Sequence, residues 1–196
     1  DGSADLAVVC SGSPTLAILS NDGTGLFTPG ESYSTGGNAI ASSDLEGDGN
    51  VDLVVTGGSV KVFVNDGDGT FTGPTDYVAG TGPVFVAPAD LNGDGAVDLA
   101  VANAGIREGL TYTGGDLSVL LNNGDGTFDS PISYQVGEVP FAVVAGDLDS
   151  DDDGRVDLAA VNRDSGTVSV LINETTAANS QDCDSNGMPD ECQTDT

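Results

Sequence analysis

An acidic loop recurs along this chain, and each copy leads directly into a short apolar run. Residues 44–52 (DLEGDGNVD) and 90–98 (DLNGDGAVD) are full copies, residues 147–157 (DLDSDDDGRVD) are a copy with two extra residues, and residues 1–5 match the end of another. Oxygen-bearing side chains at alternate positions, a glycine at the sixth position and a closing aspartate suit a hard divalent cation such as Ca²⁺. The loops are therefore the candidate metal sites.

Each loop is predicted to bind Ca²⁺ through the side chains at positions 1, 3, 5 and 9 and the backbone carbonyl at position 7. The glycine allows a turn with positive φ. The leucines at position 2 (Leu45, Leu91 and Leu148) are expected to point into the core. In the longer third loop, Asp151 is an alternative ligand. The predicted ligands of the three loops are Asp44, Glu46, Asp48, Asn50, Asp52, Asp90, Asn92, Asp94, Ala96, Asp98, Asp147, Asp149, Asp151, Asp153, Arg155 and Asp157.

An EF-hand does not fit these loops. That motif needs a glutamate at position 12 and a helix on each side. Counted from Asp44 and Asp90, the twelfth residues are Val55 and Val101, which lie in runs of strand-like sequence.

The C-terminal tail repeats the same spacing between two cysteines, Cys183 and Cys192. Its predicted ligands are Asp182, Asp184, Asn186 and Asp190. A disulfide between the two cysteines would favour an oxidising compartment, whereas the alternative for this segment is a flexible acidic linker. Cys10 lies in an apolar run and is predicted to be a buried thiol.

Composition excludes several classes of function. The chain has 32 acidic and four basic residues and a formal net charge of -28, so it offers no basic surface to nucleic acid or to an anionic membrane. No apolar run approaches the ~20 residues of a membrane-spanning helix, so membrane insertion is not expected. There is no histidine, and a bound metal would hold the loop carboxylates ionised, so the chain is predicted not to be an enzyme.

A second motif, Asn-x-Gly-x-Gly-x-Phe, occurs at residues 21–27, 65–71 and 122–128, and a tyrosine follows each phenylalanine by six residues. These phenylalanines and tyrosines are predicted to pack between repeats. The apolar runs are short, rich in β-branched residues and bounded by Gly, Asn and Asp, which indicates strands. About four strands per repeat of roughly 50 residues predict an all-β fold of propeller blades.

The loop and the turn together resemble the FG-GAP/VCBS repeats of integrin α-subunit heads and of many secreted bacterial proteins. The resemblance implies blades of four antiparallel strands, with calcium between the innermost strand and the next. It covers residues 1–175, and residues 176–196 form a linker and an acidic tail that resembles the calcium loops of thrombospondin type 3 repeats. About 3.5 blades are too few for a closed ring, so we expect a segment of a larger propeller or partial rings that associate.

The resemblance further implies a secreted or cell-surface module that binds an extracellular protein or glycan on the face opposite the calcium loops. An insertion on that face, at residues 104–114, brings Arg107 and Tyr112 as speculative ligand-binding residues; the alternative for this segment is a tolerated surface insertion. The alternatives are a lectin-like propeller and a structural scaffold of a cell-surface or filamentous assembly that self-associates through open blade edges.

Overall fold

The computed structural model describes residues 2–10, 13–109, 111–149 and 154–174. Within these residues the chain is all β, without a helix, which confirms the predicted fold class. The strands are β1 Leu6–Cys10, β2 Thr15–Asn21, β3 Phe27–Tyr33, β4 Ala39–Ser43, β5 Asp52–Thr56, β6 Val60–Asn65, β7 Phe71–Tyr77, β8 Pro83–Ala89, β9 Asp98–Asn103, β10 Ile106–Glu108, β11 Thr111–Thr113, β12 Asp116–Leu120, β13 Ile132–Tyr134, β14 Pro140–Gly146, β15 Asp157–Asn162 and β16 Thr167–Leu171.

Fourteen of the described strands form four antiparallel sheets, here called blades 1 to 4. Their strand orders are β1-β2-β3, β4-β5-β6-β7, β8-β9-β12-β13 and β14-β15-β16. Blade 1 therefore has strands two to four of the repeat, blades 2 and 3 have all four, and blade 4 has strands one to three. This is the division that the spacing of the acidic loops predicts, and the sheets are partial β-propeller blades.

The hydrophobic core lies between blades. In β5, Leu53 and Val55 pack with Leu16 of blade 1, whereas Val54 between them packs with Leu99 of blade 3. Alternate side chains of a strand point to opposite faces of its sheet, so a fully apolar strand needs a neighbouring sheet on both sides. The central strands β5 and β9 satisfy this condition, and every residue in them is buried.

Four of the six repeated phenylalanines and tyrosines join neighbouring blades, as predicted from their spacing, whereas Tyr134 is 40% exposed. The ring of Tyr33 in blade 1 meets that of Phe71 in blade 2 edge to face, with 6.0 Å between centroids. Tyr77 and Phe128 form the same pair between blades 2 and 3, at 5.2 Å. The backbone N–H of Phe71 also donates a 2.8 Å hydrogen bond to the hydroxyl of Tyr33. Each pair therefore adds directional contacts to the apolar burial.

The end blades expose apolar residues whose counterparts are buried in the central blades. Leu6 and Val8 of β1, which correspond to Leu53 and Val55, are 47% and 42% exposed. Two predictions are wrong for the same reason. Leu148 is 46% exposed instead of lying in a core, and Cys10 is exposed instead of buried, because no further blade covers these faces in the described part of the chain.

The insertion between β9 and β12 forms its own two-stranded sheet, the β10–β11 hairpin, in which Arg107 pairs with Tyr112 along the backbone. In an antiparallel blade, successive connections alternate between the two ends of the sheet. The hairpin therefore lies at the end of blade 3 opposite its acidic loop. The described residues include no helix with the length and apolar character of a membrane span.

Candidate functional sites

Each described acidic loop connects the innermost strand of a blade to the second strand. The loops begin after β4, β8 and β14 and end at the first residue of β5, β9 and β15. The glycine at position 6 has positive φ in all three, 89° at Gly49, 91° at Gly95 and 74° at Gly154. A side chain is disfavoured in that conformation, so the structure confirms the predicted reason for glycine at this position.

The first aspartate of the loop organises the turn through backbone N–H groups. One carboxylate oxygen of Asp44 accepts a hydrogen bond from Gly47 N at 2.8 Å, and the other accepts one from Gly49 N at 2.9 Å. Asp90 repeats this arrangement with the glycines three and five residues further on, at 2.7 and 2.9 Å. Hydrogen bonds from N–H groups to a carboxylate are charge-assisted, and they hold both loops in the same conformation.

The closing aspartates, Asp52, Asp98 and Asp157, have a structural role that the sequence analysis missed. All three are at most 2% exposed. Oδ2 of Asp52 accepts a hydrogen bond from Leu45 N at 2.8 Å, and Oδ1 accepts one from Asn65 N at 2.8 Å. The closing carboxylate thus joins its own loop to the third strand of the blade. Each of its oxygens keeps a second lone pair, so this role is compatible with metal coordination.

The turn asparagine, the first residue of the Asn-x-Gly-x-Gly-x-Phe motif, joins the loop of one blade to the next blade. The side-chain amide of Asn122 donates to Val97 O in its own blade and to Leu45 O in the acidic loop of the preceding blade, both at 2.9 Å. Asn173, which follows β16 at the corresponding place but does not begin a copy of the motif, makes equivalent bonds to Val156 O at 3.3 Å and to Leu91 O at 2.7 Å. The recurrence of the asparagine in the motif was the sequence signal for this role.

The environments of the acidic side chains shift their pKa values in different directions. Burial raises the pKa of Asp98, and burial together with the charges of Asp52 and Asp48 raises that of Glu46. Hydrogen bonds from Asn173 N and Leu148 N lower the pKa of Asp157. Asp157 and Asp98 are both inaccessible to water, but Asp157 lies in the last described blade, where desolvation is weaker. The repulsion around Glu46 is the kind that a bound cation relieves.

The third loop brings three carboxylates together. Asp147, Asp149 and Asp157 each place one oxygen so that the three lie within 4.8 Å of one another. Because Ca–O distances are about 2.3–2.6 Å, two oxygens on one ion can be at most about 5 Å apart, so all three side chains could bind a single ion. Among the described residues, this is the one group of three or more acidic, histidine or cysteine side chains that meets the criterion.

The side chains in the middle of the first two loops instead bind within their own turn. The carboxylate of Asp48 accepts hydrogen bonds from the backbone N and side-chain amide of Asn50, both at 2.8 Å. Asp94 accepts corresponding bonds from Ala96 N and the side chain of Asn92, also at 2.8 Å. The other predicted ligands, Asp151, Asp153, Asp182, Asp184, Asn186 and Asp190, lie outside the described residues.

The repeat unit matches a known family. The FG-GAP-like repeat matches residues 1–55 and again residues 44–101, and the two matches together span just over half of the chain. The chain belongs to the FG-GAP-like repeat family. No curated protein matches it significantly. Repeats of this family form β-propeller blades, often bind calcium, occur typically in extracellular proteins and are generally non-catalytic.

A second candidate site of this FG-GAP protein lies at the end of the blades opposite the acidic loops. A cleft of about 330 Å³ there is lined by Tyr112, Gln135, Glu138 and Val139, among others. The guanidinium of Arg163 lies 5.0 Å from the ring centroid of Tyr112, which fixes the β10–β11 hairpin against blade 4.

Val139, which lines the same cleft, has a φ of 56° although it is a buried, β-branched residue. Such a conformation is strained for valine, and strained residues occur preferentially at functional sites. The structure therefore places Tyr112 in the wall of a surface cleft. The side chain of Arg107 is outside the described part of the chain.

Proposed function

We propose that this chain is a calcium-stabilised, non-catalytic binding module of an extracellular protein. The observation that carries the proposal is the convergence of Asp147, Asp149 and Asp157 in one of three acidic loops that share a common position in the blade. Oxygen-only ligand sets favour Ca²⁺ or Mg²⁺, and the flexible, carboxylate-rich geometry favours the larger ion. FG-GAP-like repeats often bind calcium, which supports the same assignment.

Calcium would contribute to stability in proportion to the number of occupied sites. A site with a dissociation constant of about 0.1–1 mM, at about 1 mM calcium, adds roughly 0.4–1.4 kcal/mol to the free energy of unfolding. In a domain of this size, about 1 kcal/mol shifts the melting temperature by roughly 2–4 °C. Chelation should therefore lower the melting temperature by several degrees, and an unchanged curve in excess chelator would contradict a structural role.

The third loop provides a direct test of the ligand assignment. Isothermal titration should show one calcium ion fewer per chain for Asp149→Asn than for the unaltered protein. Glu31→Gln removes the same charge from an exposed position in β3, outside the acidic loops, and should leave the stoichiometry unchanged. Equal stoichiometry for both variants and the unaltered chain would refute the assignment.

The partner is proposed to bind the cleft around Tyr112 and Val139, at the end opposite the acidic loops. An extracellular protein is the favoured partner, because four of the six repeated aromatic residues that could have served as sugar platforms, Tyr33, Phe71, Tyr77 and Phe128, pack between blades instead. Screening a panel of extracellular proteins and a glycan array would identify the partner class. Deleting residues 104–114 should then abolish binding, and binding that persists would exclude this surface.

The end blades favour a second candidate function, as a building block of a larger assembly. Leu6 and Val8 form an N-terminal end face, and Val144, Val161, Val168 and Val170 form a C-terminal end face, all exposed. Between blades 1 and 2, and again between blades 2 and 3, faces of these two types pack together. We therefore propose that the C-terminal end face of one copy packs on the N-terminal end face of the next, in a head-to-tail assembly.

The mass in solution, with and without calcium, tests this assembly. Val161→Asp should abolish any dimer, whereas Val78→Asp, which adds the same charge at an exposed position outside the end faces, should not. A monomer at millimolar chain concentration would contradict the head-to-tail assembly.

A further inference from the structure

One guanidinium group contacts two aromatic rings at the end of blades 3 and 4 opposite the acidic loops. The guanidinium carbon of Arg163 lies 5.0 Å from the ring centroid of Tyr112 and 5.7 Å from that of Phe141. Nε of Arg163 donates a 2.9 Å hydrogen bond to Oδ1 of Asp164. The side chain of Arg163 is 46% exposed, so solvent reaches the contact. Two rings and a carboxylate therefore surround a cation at an accessible surface.

Blade 4 differs from blade 3 at two of the residues that build this contact. Arg163 directly follows the second strand of blade 4, and Ala104 has the equivalent place in blade 3. In both innermost strands the pairing register shifts by one residue, at Val84 in blade 3 and at Phe141 in blade 4. Such a bulge re-aims a side chain. Val84 packs against the core between the two blades, whereas Phe141 contacts Arg163.

The strained residue Val139 belongs to the same part of blade 4. It precedes the proline that begins β14, just as Gly82, with a φ of 67°, precedes the proline that begins β8. Both carbonyl oxygens accept a 2.9 Å hydrogen bond, from Arg163 N in blade 4 and from Ala104 N in blade 3. The backbone thus keeps a conformation suited to glycine although the residue is valine, and such strain is common at ligand sites. The strained turn leads directly to Phe141.

The chemistry around the two rings favours a weakly hydrated organic cation. The faces of aromatic rings attract quaternary ammonium and guanidinium groups, which lose less hydration than a primary ammonium group does. Asp164 lies beside the guanidinium, Glu138 lines the adjoining cleft, and the chain has a net charge of -28, so a cation is attracted and an anion is repelled. Arg163 shows directly that a cation fits against both rings.

We propose that Tyr112 and Phe141 form a slot for a quaternary ammonium or guanidinium group, and that Arg163 fills this slot in the free protein. The inference rests on the proposed function, because Tyr112 also lines the cleft assigned to the partner, and it names the chemical group that the partner presents there. Exposed cation–π contacts and exposed ion pairs are individually weak, so a ligand can displace Arg163.

The test is a titration of the isotopically labelled full chain with choline and, separately, with methylguanidinium, in calcium and at constant ionic strength. At least one cation should shift the ring signals of Tyr112 and Phe141 at millimolar concentration, and the tighter of the two identifies the preferred group. The uncharged isostere of choline, in which carbon replaces nitrogen, should bind about tenfold more weakly. Equal binding of choline and its isostere, or no binding of either cation, would overturn the proposal.

Substitutions in the chain locate the binding. Arg163→Ala should bind the preferred cation about tenfold more tightly, because the internal cation no longer competes. In that background Tyr112→Leu and Phe141→Leu should each remove most of the binding. Tyr134→Leu removes a partly exposed ring on another part of blade 3 and should leave the affinity unchanged. An affinity unaltered by Arg163→Ala, or by Tyr112→Leu, would refute the slot, and amide spectra check that each variant is folded.

These results can be separated from the test of the partner surface. If neither cation binds while deletion of residues 104–114 abolishes partner binding, the cation slot is wrong and the partner surface stands. If a cation binds at the two rings while partner binding survives that deletion, the slot is supported and the partner surface is wrong.

Discussion

The closing aspartate of each acidic loop should stabilise the blade even without metal, and Asp52→Asn tests this. Asp52 is 1% exposed and accepts hydrogen bonds from Leu45 N and Asn65 N, both at 2.8 Å. Asparagine keeps one acceptor and turns an amide N–H group toward the other backbone donor. The loss of one hydrogen bond to a charged group, together with an unsatisfied buried N–H, should cost about 2–4 kcal/mol. For a chain of this size that is a fall in melting temperature of roughly 5–15 °C.

The matched control is Asp48→Asn in the same loop. Asp48 is exposed and binds only within its own turn, so its substitution should cost less than about 0.5 kcal/mol. Both variants should be unfolded with urea in excess chelator, and their calcium affinity measured separately. Both are expected to bind calcium more weakly, but Asp52→Asn alone should unfold at clearly lower urea concentration in chelator. Equal unfolding midpoints would refute the idea that the closing carboxylate joins the loop to the third strand.

Two further predictions follow from the inter-blade contacts and the turns. Asn122→Ala removes two hydrogen bonds to Leu45 O and Val97 O and should lower the free energy of unfolding by about 1–3 kcal/mol in urea titrations; a loss under 0.5 kcal/mol would contradict a role between blades. The hydroxyl and backbone N–H of Thr127 lower the pKa of Asp125. The stabilisation that this turn gives the folded protein is therefore present at pH values above the ordinary pKa of an aspartate, and it is lost as the pH falls through the lowered pKa of Asp125. Thr127→Ala should raise the pKa of Asp125, as measured by carboxyl NMR titration.

The division of the chain into blades was predictable from sequence, because the repeat carries the information several times. The spacing of acidic loop, turn and tyrosine marks the same three points of each repeat, so strand order follows from counting. The runs around Leu53 and Leu99 are apolar at successive positions, and only a strand buried on both faces needs that pattern. The aromatic pairs Tyr33–Phe71 and Tyr77–Phe128 follow from the same register.

The sequence was less informative wherever a residue depends on a neighbouring blade. Leu148 has the same local sequence as Leu45 and Leu91, yet it is exposed, because burial at this position comes from the next blade and not from the loop itself. The second role of the closing aspartates was missed for a similar reason. Their motif predicts oxygen ligands, but the N–H groups that they bind belong to Leu45 and Asn65, which are 7 and 13 residues away in sequence.

The acidic loops are hydrogen-bonded to the interfaces between blades, so metal binding in a loop and packing between blades would be coupled. The closing carboxylate binds the backbone of the turn asparagine, and the side chain of that asparagine binds the loop of the preceding blade. A cation that orders one loop would therefore also order the carbonyl to which the next blade is bound. Since each blade contacts mainly its neighbours, the effect of a bound cation on stability should be transmitted from blade to blade through the free energies of the interfaces between adjacent blades. Calcium should accordingly stabilise the interfaces between blades more than the interior of any single sheet.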